Sequence, residues 1–410
     1  MPGNADPIRS LYVHVPFCAQ KCAYCAFFSE ASSGELINRY VAALIRELEL
    51  VAADLKPRTI FFGGGTPSLL NLRQWEEILR AMERLNLLGA EEFTVESNPA
   101  TVSADKSKLL RSFGVNRISM GVQSLDENLL DRLGRIHSRE MVFTSFDTLR
   151  AAGFDNVNLD LMFAIPGQTM AIWRATLDEA IALGSEHLSS YEVIYEEDTP
   201  LFEQMKAGEF DVNEDLACDM YEELIDRSSA AGFHQYEIAN FARAVRGRDG
   251  MAMHLTTGME VPDANPNHPK IQPSISTFAS QHNVNYWRGG SYYGLGPSAT
   301  GYVRGVRTKN WSNTQLYCDQ LEKGRRALES SEELPSLRRA GETAAFGLRM
   351  NAGWPYAAFQ QTTGHDLRSE WAGEMEKLSE QGRGKIAPDG FYLTRQGLRF
   401  ADAAAEMFLR

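Results

Sequence analysis

From residue 9 to about residue 200, short apolar runs alternate with longer stretches whose apolar residues recur every three or four positions. The short runs are Arg9–Val15, Thr59–Phe62, Glu92–Val95, Arg117–Met120, Val157–Leu161 and Leu188–Val193. The longer ones include Glu35–Ala53, Leu72–Leu85 and Ala104–Ser112. Six predicted strands, each followed by a helical segment, read as parallel βαβ units. Crossovers that do not reverse direction give an α/β fold with a partial (β/α)6, TIM-like barrel. A doubly wound sheet is the alternative, because periodicity does not separate the two. Either arrangement puts a ligand site at the C-terminal ends of the strands.

Beyond the sixth strand the texture changes. Residues 212–232 form a further amphipathic helix. Residues 244–280 are rich in Gly, Pro, Asn and Ser and read as an irregular insertion, where Pro266, Pro269 and Pro273 argue against a regular helix. The tail is mostly helical and closes on Gly390–Thr394 followed by a helix. The expected division is a barrel with its extension over 1–325 and a small, winged-helix-like C-terminal domain over 326–410.

Composition removes several classes. Hydrophobic residues at 43% and charged residues at 23% are ordinary for a globular protein. No apolar run approaches the roughly 18–20 residues of a membrane span, and the first residues show no signal-peptide pattern. The net charge of −13 works against a phosphate backbone as partner, so no nucleic acid is expected. Five cysteines are too few, and odd in number, for a disulfide scaffold. Cys218 and Cys318 stand alone and read as small buried hydrophobes. Cys18, Cys22 and Cys25 fall within eight residues, which suggests a metal site in a reducing compartment and hence the cytoplasm.

These three cysteines follow the first predicted strand with the spacing C-x3-C-x2-C. Three thiolates on one loop can hold three corners of a 4Fe–4S cube and leave one iron without a protein ligand. A structural zinc, which needs four donors and would recruit His14, and inert thiols are the other readings. Phe62–Ser68 (FGGGTPS) follows the second strand; it lacks the pattern of a P-loop or a dinucleotide fingerprint, and its glycines allow close backbone approach.

Together these motifs resemble the radical S-adenosylmethionine superfamily. The resemblance implies that the open iron holds the amino and carboxylate groups of S-adenosylmethionine and that reductive cleavage yields a 5′-deoxyadenosyl radical. Gly64, Gly65 and Thr66 match the glycine motif that takes the methionine end of the cofactor. Glu96, Gln123, Arg135, Asp160, Tyr12 and Tyr24 resemble cofactor-binding positions in one branch. That branch holds the oxygen-independent coproporphyrinogen III oxidases and the HemW-type heme chaperones. The resemblance runs from about Leu11 to Gly301 and continues more weakly through the tail.

Three features favour the chaperones over the oxidases. The oxidase pattern has a further cysteine where this chain has Phe27. Only 11 residues precede Tyr12, too few for the oxidase's N-terminal arm. His282–Trp287 (HNVNYW) resembles the chaperones' H-N-x-x-Y-W motif. By this resemblance His282 is a heme contact, with Tyr286, Trp287, Tyr292 and Tyr293 as flat surface and Arg288, Arg304 or Arg307 for propionates. A Cys-Arg pair precedes that histidine in many relatives; here it is Ser280–Gln281. The implied function is a heme chaperone that binds heme and transfers it to an acceptor protein, such as a respiratory membrane protein. The implied electron donor is a flavodoxin or ferredoxin. Oxidative decarboxylation of coproporphyrinogen III to protoporphyrinogen IX is the alternative, and no side chain is singled out as a catalytic acid or base.

Overall fold

A computed structural model of the chain describes residues 6–31, 33–246, 252–253 and 276–410. Most of the expected insertion 244–280 lies outside the described residues. Six parallel strands, β1 (Ile8–Val15), β2 (Leu55–Gly64), β3 (Glu92–Ser97), β4 (Arg117–Gln123), β5 (Val157–Phe163) and β6 (His187–Glu192), pair in chain order. Between them run α1 (Gly34–Val51), α2 (Leu72–Arg84), α3 (Ala104–Ser112), α4 (Glu127–Arg132), α5 (Arg139–Ala151) and α6 (Met170–Ala182). The strand order never reverses, which separates this partial (β/α)6 barrel from a doubly wound sheet. After β6 come α7 (Pro200–Lys206) and α8 (Glu214–Ala230).

Side-chain caps set where the helices begin. Asn71 and Gln74 form a reciprocal capping box at α2, and Asp126, Ser138 and Thr169 accept from the first turns of α4, α5 and α6. The strands then divide their side chains by parity. Leu11, Val13, Val15, Ile60, Phe62, Phe93, Val95, Ile118, Met120, Leu159, Leu161 and Leu188 pack against the helices as the main core. The opposite face carries Ser10, Tyr12 and His14 on β1, paired with Thr59, Phe61 and Gly63 on β2. It continues through Glu92, Thr94 and Glu96, then Arg117, Ser119, Gly121 and Gln123, then Asn158 and Asp160, then His187 and Ser189. The barrel is therefore apolar outside and polar within.

Both edges of the sheet are longer than the sequence pattern suggests. Tyr293–Leu295 pairs parallel to β1, while Asn240–Arg243 and Phe233–Gln235 continue antiparallel from β6. Strands of three or four residues are too short to display a period. Three further strands, Thr300–Val303, Val306–Asn310 and Leu328–Glu333, form an antiparallel sheet. The expected change of unit at 326 falls inside this sheet, whose last strand ends at Glu333.

The tail builds its own core. Helices Ser336–Gly347, Tyr356–Thr363 and Ala372–Glu380 surround a small sheet in the order Trp354–Pro355, Gly390–Leu393, Gly384–Ile386. Trp354, Phe359, Trp371, Phe391 and Phe408 fill it. Of the lone cysteines, Cys318 is fully buried, as expected. Cys218 is only half-buried, because α8 turns it toward Arg399.

Trp371 packs on Phe359 and Phe408 and donates its indole N–H to the Phe408 carbonyl at 2.9 Å. Trp371→Ala should cost about 3–5 kcal/mol of stability through the cavity it leaves. Trp371→Phe should cost only about 1–3 kcal/mol, chiefly the carbonyl's lost partner. Urea unfolding monitored by circular dichroism separates these outcomes.

Candidate cofactor cavity

The loop after β1 carries the three cysteines, and backbone bonds from four places hold it. Cys18 N–H donates to the Glu30 carbonyl at 3.1 Å and Ala23 N–H to Leu133 at 3.0 Å, while the Ala23 carbonyl accepts from Leu201 N–H at 2.9 Å. From β2's end, Gly65 N–H reaches the Val15 carbonyl at 2.8 Å and Thr66 N–H the Phe17 carbonyl at 2.7 Å. This approach explains the glycines. A Cβ on Gly65 would lie 2.7 Å from the Phe17 oxygen, and one on Gly64, at φ 106°, would strike the His14 ring. The glycines admit the protein's own backbone and its cysteine loop.

The three thiols, all free, line one cavity of about 690 Å³ at the C-terminal ends of the strands. Gly64, Gly65, Thr66, Tyr24, Glu96, Gln123, Arg135 and Asp160 line it as well. Six strand or loop segments, far apart in sequence, thus converge. Gln123 adopts φ 65°, beside a register shift between Gly121 and Gln123 in the β4–β5 ladder. That bulge ends β4's pairing at the cavity edge. Tyr12 and His282 are not among the lining residues. Tyr12 sits deeper in the barrel, its hydroxyl on His14 Nδ1 at 2.9 Å. The sequence reading missed other lining residues, among them Ser97, Ser119, Gly121, Met162 and Tyr191. Most of them lie on the polar strand face, so alternation within each strand was the available signal.

The cavity's charges are arranged around sulfur. Arg135 donates from Nη1 to Cys22 Sγ at 3.3 Å and from Nη2 to the Gly121 carbonyl at 2.7 Å, and its Nε is buried without a partner. The Thr66 hydroxyl lies 3.5 Å from Cys18 Sγ. Burial pushes the Cys25 thiol up, so holding thiolates here requires compensating positive charge. Arg135 supplies part of it, and a bound metal cluster would supply the rest. His14 does not complete a zinc site: its Nε2–H donates to the Phe28 carbonyl at 2.8 Å and Nδ1 accepts from Tyr12. Among the described residues no three His, Cys, Asp or Glu side chains are grouped to hold a single metal ion.

Two carboxyl groups sit on the cavity floor. Burial, then the charge of Asp160, pushes Glu96 up to about 8, while the Gly64 N–H at 3.1 Å opposes the shift. Burial also raises Asp160, against hydrogen bonds from Asn158 Nδ2 at 2.7 Å and Ser119 Oγ at 3.1 Å. Such a floor offers acceptors to hydroxyls and to an ammonium group.

The family profile of the Radical SAM superfamily matches residues 12–180, and that of the HemN C-terminal domain matches residues 334–400. The fold and the cysteine-lined cavity are those of a radical S-adenosylmethionine protein, a class that implies a 4Fe–4S cluster and S-adenosylmethionine. "Heme chaperone HemW" of Bacillus subtilis (strain 168) is 33% identical over 408 residues, covering 98% of this chain and 99% of that protein. "Heme chaperone HemW" of Escherichia coli (strain K12) is 32% identical over 415 residues, covering 98% of both. The structure of coproporphyrinogen III oxidase (HemN) from Escherichia coli superposes with a TM-score of 0.78 at 20% identity, covering 99% of this chain and 91% of that one. This chain belongs to the HemW family.

Cys22→Ala should abolish the broad iron–sulfur absorbance of anaerobically reconstituted protein and drop iron well below four per chain, as chemical iron analysis reads out. The raised Glu96 also sets a pH dependence for the cofactor-free protein. Its folded value of about 8 exceeds the unfolded value of about 4.3, so the folded state binds the extra proton between them. Glu96 therefore lowers stability as pH rises from about 5 to 8. Glu96→Gln should flatten that part of the wild-type decline in Tm; an identical slope in both proteins would show that Glu96 does not titrate there.

Proposed function

We propose that this protein is a cytoplasmic heme chaperone. Cys18, Cys22 and Cys25 hold a 4Fe–4S cluster, S-adenosylmethionine occupies its open corner, and the protein carries heme to an acceptor protein. The observation that carries the reading is the convergence of three free thiols with Arg135, Glu96 and Asp160 in one cavity, in a chain related end to end to heme chaperones. Among the described residues no helix is long and apolar enough to cross a membrane, so a membrane acceptor would be met at its surface.

The chain's own groups divide the work. Arg135 offsets negative charge at Cys22 and is itself fixed by the Gly121 carbonyl. Thr66 stands by Cys18. Gly64 and Gly65 hold the β2 end against the loop, and Thr66 continues that edge where a methionine moiety would lie. Glu96 and Asp160 accept from hydroxyl or ammonium groups, and Tyr24 and Gln123 bound the sides. When bound, the cluster and S-adenosylmethionine supply one-electron chemistry, with a flavodoxin or ferredoxin as donor. Phe27, where oxidases have a fourth cysteine, sets the chain apart from coproporphyrinogen oxidation.

Titration of the reconstituted protein with heme, followed by mixing with a heme-free acceptor protein, tests the reading. A saturable Soret band and its transfer to the acceptor are expected, with no protoporphyrinogen formed from coproporphyrinogen III. Protoporphyrinogen formation, or the absence of any heme complex, would overturn it.

A further inference from the structure

The H-N-x-x-Y-W histidine is already engaged. His282 lies on the short helix α9 (Gln281–Trp287) and is 1% exposed. Its Nδ1–H donates to Thr59 Oγ1 at 3.0 Å, whose own hydroxyl donates to Ser10. Its Nε2 accepts from the Tyr286 hydroxyl at 2.7 Å. Phe61 stacks on the ring with centroids 5.2 Å apart. The buried Glu92 carboxylate accepts from the N–H groups of Gln281 at 2.7 Å and His282 at 3.0 Å, anchoring the helix start. At the other end, Arg288 donates to the Gly353 carbonyl at 2.6 Å and lies over Trp354, and Arg349 lies over Trp287. The motif thus joins the barrel interior to the C-terminal core. Iron ligation through His282 Nε2 would displace the Tyr286 hydroxyl and open a packed stack.

Exposed apolar side chains point elsewhere. Of twelve large hydrophobic residues exposed among the described residues, four (Phe27, Ile136, Tyr191 and Ile194) line the cysteine cavity. Phe27 is 69% exposed and Ile194 65%. Four such groups gathered on one opening mark a binding surface rather than scattered surface residues. Among the described residues the lining includes no histidine, the cysteines are committed to the cluster, and Met162 is buried. The acids Glu192 and Glu196 also line the cavity, so anionic propionates are best turned away from that side.

We propose that the cavity mouth, formed by Phe27, Ile136, Tyr191 and Ile194, is a tetrapyrrole-binding site that grips the face of the macrocycle without ligation by His282, which is a positioning residue that ties α9 to the barrel. The proposal rests on the heme-chaperone reading and gives it a place. A flat apolar ring on aromatic and branched side chains gains by area and stacking, neither of which needs iron.

The test compares heme with iron-free protoporphyrin IX on the full-length, cluster-loaded protein, by absorbance and by quenching of porphyrin fluorescence. Wild type should bind both within about threefold, since a face contact is indifferent to the metal. The double variant Phe27→Ser, Ile194→Ser should weaken both by about tenfold or more at unchanged iron–sulfur content, which corresponds to losing about 1.4 kcal/mol. His282→Gln should leave the Soret position and both affinities near wild type while lowering Tm. Unchanged heme affinity in the double variant, or iron-dependent binding that vanishes with His282→Gln, would overturn the site and leave the chaperone reading standing. Failure of wild type to bind either ring would sink the chaperone reading itself.

Discussion

The molecule is organised around a backbone contact that no side chain would permit. The end of β2 lies directly on the cysteine loop, with Gly65 under the Phe17 carbonyl and Gly64 against the His14 ring. Because the loop is also tied to the segments around Glu30, Leu133 and Leu201, its three sulfurs enter the cavity from a fixed frame. A cluster bound to such a loop spends little of its binding energy on ordering the chain. Adding one methyl group at Gly65 would displace either the loop or the strand, and with it the relation between the thiols and the cavity floor.

The polar barrel interior is the second constraint. A barrel of this class is ordinarily filled by branched apolar side chains. Here Glu92, Arg117, Asn158, Asp160, His187 and Glu96 occupy inward positions, and most are tied into hydrogen bonds. His187 donates to Asn158 at 2.6 Å and accepts from Tyr236 at 2.9 Å. Buried polar groups must be satisfied or they cost stability, so this network specifies one arrangement of the strands. Arg117, 2% exposed with its Nε unpartnered, is the conspicuous cation among the inward carboxyl groups. The network also links the two ends of the barrel, since Glu92 anchors α9 and Glu96, four residues later on the same face, lies on the cavity floor.

Much of this was legible in the sequence. The six strands could be found from their apolar residues, because one face of each packs against helices and must be hydrophobic. The cysteine spacing and the glycine run stood out because each is local. The inner face was equally present as alternation in segments such as Glu92–Ser97 (EFTVES) and Arg117–Gln123 (RISMGVQ), but it reads only once each strand's register is known. The three-residue strand Tyr293–Leu295 gave no signal, since its pairing to β1 is stabilised by a partner about 280 residues away in sequence.

The amino-acid order by itself determined the chemistry on offer: three thiols on one loop, a glycine edge, and a set of acids, tyrosines and one arginine on the strands and the loops that follow them. Local spacing suffices there because loop and turn geometry is set by neighbours. Only the tertiary structure decided which of these groups meet. It brought Arg135 to Cys22 and Asp160 beside Glu96, left Tyr12 below the cavity, and closed His282 between Thr59 and Tyr286. Those outcomes depend on strand register and on packing between distant segments, where a shift of one residue exchanges the inner and outer faces.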